Sequence, residues 1–265
     1  MSTYVISDIH GCYNQFQTML EKINLSAKDQ LILGGDYIDR GPDSVKMLRW
    51  LENRPANVIC IKGNHDVEFA SYVALMKRVM KEQALTIDKS RPDATALLCE
   101  LTSGVMAEKG FPYFDWYHTI QKMTANEGVG MEQLERWAEM LTDLPYTYEM
   151  TIGGRRCIVV HAGYIEDLTG VCTDQNYADI EDFYLSARDD AYLLGGISHG
   201  MIIAGHTPTV LEEELPYNDG DVYRFYDEEM DCIFYDIDCG CAYRSVYKNA
   251  KLACLRLEDE TVVYV

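Results

Sequence analysis

A chain of 265 residues can bury a sizeable core, as one large domain or two small ones, and its 48% apolar and 25% charged residues are the balance of an ordinary globular protein. The net charge of −20 argues against a phosphate-backbone binder, which needs a basic face, so no nucleic-acid polymer is expected as a partner. Nine cysteines, an odd number without a CxxC pair, suggest buried or free thiols in a reducing compartment, and no apolar run approaches the ~20 residues that cross a bilayer.

The opening MSTYVISDIHG has no basic segment before its first motif, so neither a signal peptide nor a membrane partner is expected, and the protein is expected to be cytoplasmic. Tyr4–Ile6 predicts a short strand. Phe16, Met19, Leu20 and Ile23 follow at helical spacing, Gln30–Leu33 predicts a second strand, and Asp43 or Ser44 can cap a helix carrying Val45, Leu48 and Leu51. Val58–Ile61 is a third strand. This β-α-β-α-β order implies parallel strands with helical crossovers.

Residues 67–143 read as a helical insertion. Phe69, Tyr72, Val73, Met76, Val79 and Met80 form one stripe, Ala94–Glu108 a second helix, and Leu134, Trp137, Ala138 and Leu141 a third. Strands return at Tyr146–Thr151 and Cys157–Val160 around a Gly153-Gly154 turn, then at Met201–Ala204, Cys232–Ile237, Leu252–Leu257 and Thr261–Val265. The acidic stretch 212–231 is expected to be an exposed loop. The aromatic run Phe111–Tyr117, with His118 behind it, is expected to pack, lining of a substrate groove by His118 being the alternative; the thiol pair of Cys239-Gly240-Cys241 is also expected to pack, and His199 carries no assigned role.

Each early strand runs into a polar cluster: SDIHG at 7–11, GDYIDRG at 35–41 and GNHD at 63–66. Two later strands run into HAG at 161–163 and GHTP at 205–208. In an open parallel sheet, ligands bind beyond the carboxyl ends of the strands. Asp8 and His10, two apart, project to one side of an extended segment. With Asp36 they could hold one metal, and Asp36 could be shared with a second held by Asn64, His161 and His206. Oxygen and imidazole donors without thiolate suit manganese, iron or zinc better than a structural zinc site. A pair of such ions can activate a water and steady both oxygens of an in-line displacement at phosphorus. Arg40 offers a planar fork to phosphate oxygens, and His65, oriented by Asp39, could protonate the leaving alkoxide.

The series SDIHG, GDYIDRG, GNHD, HAG and GHTP, with the closing YDIDCGCAYRSVYKNAKLACLRLED, resembles the calcineurin-like metallophosphoesterases of the phosphoprotein phosphatase family. Ser7 stands where the family's first motif usually has glycine, and Cys239 where it has threonine. The resemblance implies a four-layer α-β-β-α sandwich with two mixed sheets, formed by a single domain over 1–265 with the helical insertion inside it. It also implies two divalent ions, manganese foremost, with iron, zinc or nickel as alternatives. Asp8, His10 and Asp36 would hold the first ion; Asp36, Asn64, His161 and His206 would hold the second. His65 and Asp39 would be the catalytic pair. Arg40, Asn64 and Arg188 (in FYLSARDD) would bind the substrate phosphate, although the tryptophan that usually precedes this arginine is absent.

The function implied first is a serine/threonine protein phosphatase. The alternative is a symmetrical dinucleoside tetraphosphatase, which GNHD and DCGCAY also resemble, so the substrate is a phosphorylated protein or a nucleotide. A non-catalytic phosphate-binding scaffold should have lost a ligand or the acid, and every expected one is present.

Overall fold

In the computed structural model, residues 1–109, 116–166, 177–211 and 218–265 are described. The first five elements follow the predicted alternation: β1 (Thr3–Ile6), α1 (Tyr13–Lys22), β2 (Gln30–Leu33), α2 (Ser44–Glu52) and β3 (Val58–Cys60). Between β3 and the next strand the described residues form four helices: α3 (Asn64–Glu82), α4 (Pro92–Glu108), α5 (Trp116–Glu127) and α6 (Met131–Thr142). Then come β4 (Thr147–Ile152), β5 (Arg155–Val160), α7 (Ile180–Ser186), α8 (Asp190–Leu193), β6 (Gly200–Ala204), β7 (Tyr223–Asp227), β8 (Cys232–Asp236), β9 (Ala253–Arg256) and β10 (Thr261–Tyr264).

The strands form two five-stranded mixed sheets, ordered β10-β9-β1-β2-β3 and β4-β5-β6-β8-β7. Within them β1, β2 and β3 run parallel, as do β5, β6 and β8. Strand alternation assigns the layers, because successive side chains point to opposite faces. Val5, Ile32, Cys157, Val159, Met201, Ile203, Ile233 and Tyr235 share one buried cluster between the sheets. Their neighbours Tyr4, Ile6, Leu31 and Leu33 face outward against α1, α2 and the helices that follow β3. On the other side Ile158, Val160, Ile202 and Phe234 pack with Phe183, Ala187 and Ala191 of the α7–α8 segment. The result is helices, sheet, sheet, helices.

Three local expectations are corrected. The stretch 212–231 is not all loop: among its described residues, Tyr223–Asp227 forms β7, an edge strand whose Tyr223 and Phe225 face the core while Arg224 and Tyr226 face out. Surrounding aspartates and glutamates hide that alternation. Helix α5 lies where the sequence suggests only aromatic packing; Phe111–Asp115 are outside the described residues, but Trp116 and Tyr117 open this helix. Short α7 is also new, and its start is set by Asp179, whose carboxylate accepts from Asp182 N at 2.9 Å.

Candidate active site

All five polar clusters sit where parallel strands end. Asp8 and His10 follow β1; Asp36, Asp39 and Arg40 follow β2; Asn64 and His65 open α3 after β3; His161 follows β5 and His206 follows β6. The two sheets meet here through cross-links rather than simple proximity. His161 Nδ1 donates to Gly34 O at 2.9 Å, and His206 N donates to Asp8 Oδ2 at 3.0 Å.

The backbone is strained along this edge. Asp8, His10, Asp36, Asp39, Arg40 and His206 have φ between 45° and 75°, and they are half of the twelve non-glycine residues with positive φ among those described. Such conformations cost ~1–3 kcal/mol each and persist only where surrounding contacts over-determine them. The contacts are present. His10 N donates to Asp36 O at 2.8 Å, and Gly41 N to His10 O at 2.9 Å. The fully buried Asp66 carboxylate accepts from Asp36 N (2.9 Å), Tyr37 N (3.2 Å) and Gly63 N (2.9 Å), while Asp36 Oδ1 accepts from His65 N at 2.9 Å. Burial raises the Asp66 pKa to about 6, with the backbone N–H donors opposing that shift. Two glycines are required by close approach. A Cβ on Gly63 would stand 2.2 Å from Asp36 Oδ1, and one on Gly205 would stand 2.0 Å from Asp8 Oδ2.

The side chains form a concentration of lone pairs. A carbonyl can only accept, so His161 Nδ1, bonded to Gly34 O, carries the ring proton and leaves Nε2 as an acceptor. That Nε2 faces Asn64 Oδ1 at 3.0 Å and Asp36 Oδ1 at 3.5 Å. The same Asn64 oxygen lies 3.0 Å from His206 Nδ1, and Asn64 Nδ2 points away to Glu68 Oε1. His10 repeats the logic: Nδ1 donates to Ile38 O at 3.0 Å, so Nε2 turns its lone pair toward Asp36 Oδ2 at 3.4 Å and Asp8 Oδ1 at 4.0 Å. Asp8 Oδ1 is buried without a hydrogen-bond partner. Ring nitrogens tied to backbone carbonyls, with the opposite nitrogen aimed at carboxylates, are how metal-ligating histidines are oriented.

Electrostatics point the same way. Burial, reinforced by Arg40, holds His10 well below the ordinary histidine range, and burial with His161 and Arg188 does the same to His206. Neutral imidazole is the ligating form. Burial, with Asp8 and Asp66 adding to it, pushes Asp36 well above the carboxylate range. Packing acceptors this closely is costly unless a cation joins them. Two groups have ligand atoms within 4.8 Å of one another: Asp36 with His161 and His206, and Asp36 with His10 and His65. Asp36 is common to both, as expected of a shared carboxylate. In the second group His65 joins His10, and Asp8 stands beside them. The residues present therefore fit a pair of divalent ions.

Asp39 and Arg40 lie next to this cluster with separate tasks. Asp39 Oδ2 accepts from His65 Nδ1 at 3.0 Å, and its Oδ1 accepts from Thr119 Oγ1 at 2.5 Å. Burial raises the Asp39 pKa, but the bonds from His65 and Thr119 outweigh it and hold the carboxyl well below its usual range. Burial also opposes charge on His65; the carboxylates of Asp36 and Asp39 overcome it, so its pKa is raised. The Arg40 guanidinium spans Nε2 of His65 (3.0 Å) and Nε2 of His10 (3.3 Å), with Tyr243 beneath it at 5.5 Å. Asp39 N donates to Ser44 Oγ at 3.1 Å, so Ser44 braces the loop, and the expected capping carboxylate of Asp43 instead pairs with Lys46 at 2.6 Å.

Arg188, just beyond α7, is exposed and near enough for its charge to lower the His206 pKa. Sequence reasoning missed the reach of α5. Trp116 meets the His65 ring edge-on at 6.0 Å and donates to Glu68 Oε2 at 3.2 Å, and Thr119 completes the Asp39 carboxylate. The aromatic run was a signal for Trp116; nothing marked Thr119. His118, expected to pack with a place lining a substrate groove as the alternative, is exposed on α5 and lines a cavity with Asp39 and Arg40. His199 lies apart, paired with Asp231 at 3.0 Å. The eight described cysteines are free and buried, Cys239 and Cys241 among them; Cys172 is outside the described residues.

A two-sheet sandwich with a carboxylate-imidazole cluster at its strand ends defines a metallophosphoesterase, and the profile of the calcineurin-like phosphoesterase family matches residues 1–239. The chain belongs to that family. It is 40% identical over 99 residues to a symmetrical bis(5'-nucleosyl)-tetraphosphatase of Wigglesworthia glossinidia brevipalpis, a match spanning 37% of this chain and 36% of that relative. It is 41% identical over 99 residues to the same-named protein of Cellvibrio japonicus, covering 37% of each. A solved structure provisionally named a diadenosine tetraphosphatase shares the fold at TM-score 0.53 and 18% identity, covering all of this chain and 92% of that one. A serine/threonine phosphatase from Saccharomyces cerevisiae shares it at TM-score 0.50 and 14% identity, covering all of this chain and 79% of that one.

Proposed function

We propose that this metallophosphoesterase cleaves dinucleoside tetraphosphates symmetrically into two nucleoside diphosphates. The observation that carries this reading is the 40% identity over 99 residues to relatives named for that activity. It reverses the order suggested by the motifs alone, in which serine/threonine phosphatase comes first. The fold likeness to a yeast phosphatase at 14% identity does not bear on substrate.

In this reading Asp8, His10 and Asp36 hold one divalent ion, and Asp36, Asn64, His161 and His206 hold the other. When bound, the ions supply Lewis acidity toward phosphoryl oxygens and an activated water. The remaining work belongs to side chains. Arg40 presents two N–H groups on one fork, steadied on the Tyr243 ring, and Arg188 adds a second charge from the α7 side. An incoming phosphate competes for the Arg40 guanidinium and so releases His65 Nε2, which that guanidinium now contacts. Once released, His65 Nε2 takes up a proton from solvent, favoured by the raised proton affinity and by Nδ1 anchored on Asp39, and then delivers it to the leaving phosphate oxygen. Asn64 also lies within reach of the substrate phosphate.

We take the four helices between β3 and β4 to form a single domain with the sandwich and to stand beside the entrance. The free, buried thiols suit a reducing cytoplasm, and no described helix is long and apolar enough to cross a membrane. The test is a substrate panel with manganese-loaded protein. The expected result is diadenosine tetraphosphate converted to ADP as sole nucleotide product, with phosphopeptides turned over at least a hundredfold less efficiently. Efficient phosphopeptide turnover with an intact dinucleotide would reject the proposal.

A further inference from the structure

Beside the ligand cluster lies a cavity of about 180 Å³ whose walls come from two distant parts of the chain. One wall is the loop from Asp39 to Ser44; the other is α5, through His118, Thr119, Lys122, Met123 and Glu127. We infer that this cavity is the leaving-group subsite, and that it takes the phosphate chain of a nucleoside diphosphate. The inference rests on the substrate reading above and adds where the departing half goes.

Three observations carry it. The first is position. His65, the proposed proton donor, is bonded to Asp39 and contacted by Arg40, and both of those residues line the cavity. An oxygen that takes its proton from His65 Nε2 therefore leaves beside this space. The second is size. Pockets for drug-sized ligands run to ~300–1,000 Å³, so this cavity is below that range and matches a fragment such as a short phosphate chain.

The third is the lining. His118 and Lys122 are four apart, one above the other on α5, and with Arg40 they set three nitrogen donors around the space. Of the lining carboxylates, Asp39 is already engaged by His65 and Thr119, and burial together with Asp43 raises the Glu127 pKa against the opposing charges of Arg49 and Lys46. On a chain with net charge −20 this lining is locally balanced, two cations against two carboxylates, and Lys122 is the cation it holds away from the metal ligands.

The experiment is product inhibition with manganese-loaded, full-length protein hydrolysing p-nitrophenyl phosphate, a substrate whose leaving group carries no phosphate. ADP should inhibit at least ~tenfold more tightly than AMP. Lys122→Met should weaken ADP at least ~tenfold, the scale of one hydrogen bond between charged groups. It should weaken AMP much less, and Lys122→Arg should restore ADP. His118→Asn should move ADP in the same direction. Equal inhibition by ADP and AMP, or ADP inhibition unchanged in Lys122→Met, would overturn the subsite. If diadenosine tetraphosphate is not cleaved, the substrate reading falls, and the ADP-to-AMP ratio in wild type and Lys122→Met still decides the subsite by itself.

Discussion

Thr119 makes the sharpest test of the proposed acid. Its hydroxyl donates to Asp39 Oδ1 at 2.5 Å, while Asp39 Oδ2 holds His65 Nδ1 at 3.0 Å. Thr119→Val keeps the shape and removes the donor. A hydrogen bond to a charged group is worth ~1.5–3 kcal/mol. If that energy is spent on orienting the Asp39–His65 pair in the transition state, kcat falls by about tenfold to about 150-fold, since 1.36 kcal/mol is one decade. The loss should depend on the leaving group. Phenyl phosphate needs a proton on departure and should lose the full amount; p-nitrophenyl phosphate, whose anion leaves unaided, should lose much less. KM should hold, and Thr119→Ser should recover most of the rate. Thermal denaturation of each variant separates misfolding from misorientation. An equal loss on both aryl phosphates, or a Thr119→Val variant as fast as wild type on phenyl phosphate, refutes the assignment.

Other outcomes follow from the same geometry. Asp36→Asn leaves both proposed ions short of their shared carboxylate, and turnover of any phosphoester should fall by at least a thousandfold, with bound manganese, measured by elemental analysis, reduced. His65→Gln should retain metal content while kcat drops ~10²–10⁴-fold, the range for losing a general acid; a milder loss on p-nitrophenyl phosphate than on phenyl phosphate identifies the proton as its contribution. Chelation should abolish turnover reversibly, and circular dichroism should be nearly unchanged, because the apolar cluster between the sheets and the His161–Gly34 and His206–Asp8 hydrogen bonds join them without the ions. Trp137→Ala, which empties a fully buried site in α6, should cost ~3–5 kcal/mol in denaturant unfolding.

The motifs alone were enough to bring most of the site into view. Asp8, His10, Asp36, Asn64, His161 and His206 each follow a short apolar strand, and strands of one direction end at one edge, so spacing along the chain predicts their convergence. The sandwich was legible for the same reason: alternating Val5, Ile32, Val159 and Ile203 face one another across the sheets because side chains alternate along a strand. The division inside GDYIDRG was also readable, with Asp36 in the cluster and Asp39 on His65.

Tertiary structure decided what periodicity does not encode. Asn64 Oδ1 lies between His161 and His206 only because residues far apart in sequence meet there, and the ring nitrogen that His161 and His10 offer depends on which backbone carbonyl takes the other. Edge strand β7 hides under acidic residues because only one face of it is buried. Helix α5 was the largest omission. Trp116 and Thr119 reach His65 and Asp39 across more than 50 residues of intervening chain, and a threonine carries no local pattern that announces a distant carboxylate. The sequence by itself determined which carboxylate, amide and imidazole groups gather and the edge where they do so, since both follow from strand direction and residue chemistry. Which helix sets its side chains beside that edge, with Thr119 on Asp39 and Trp116 against His65, was fixed only by packing between segments with no shared local signal.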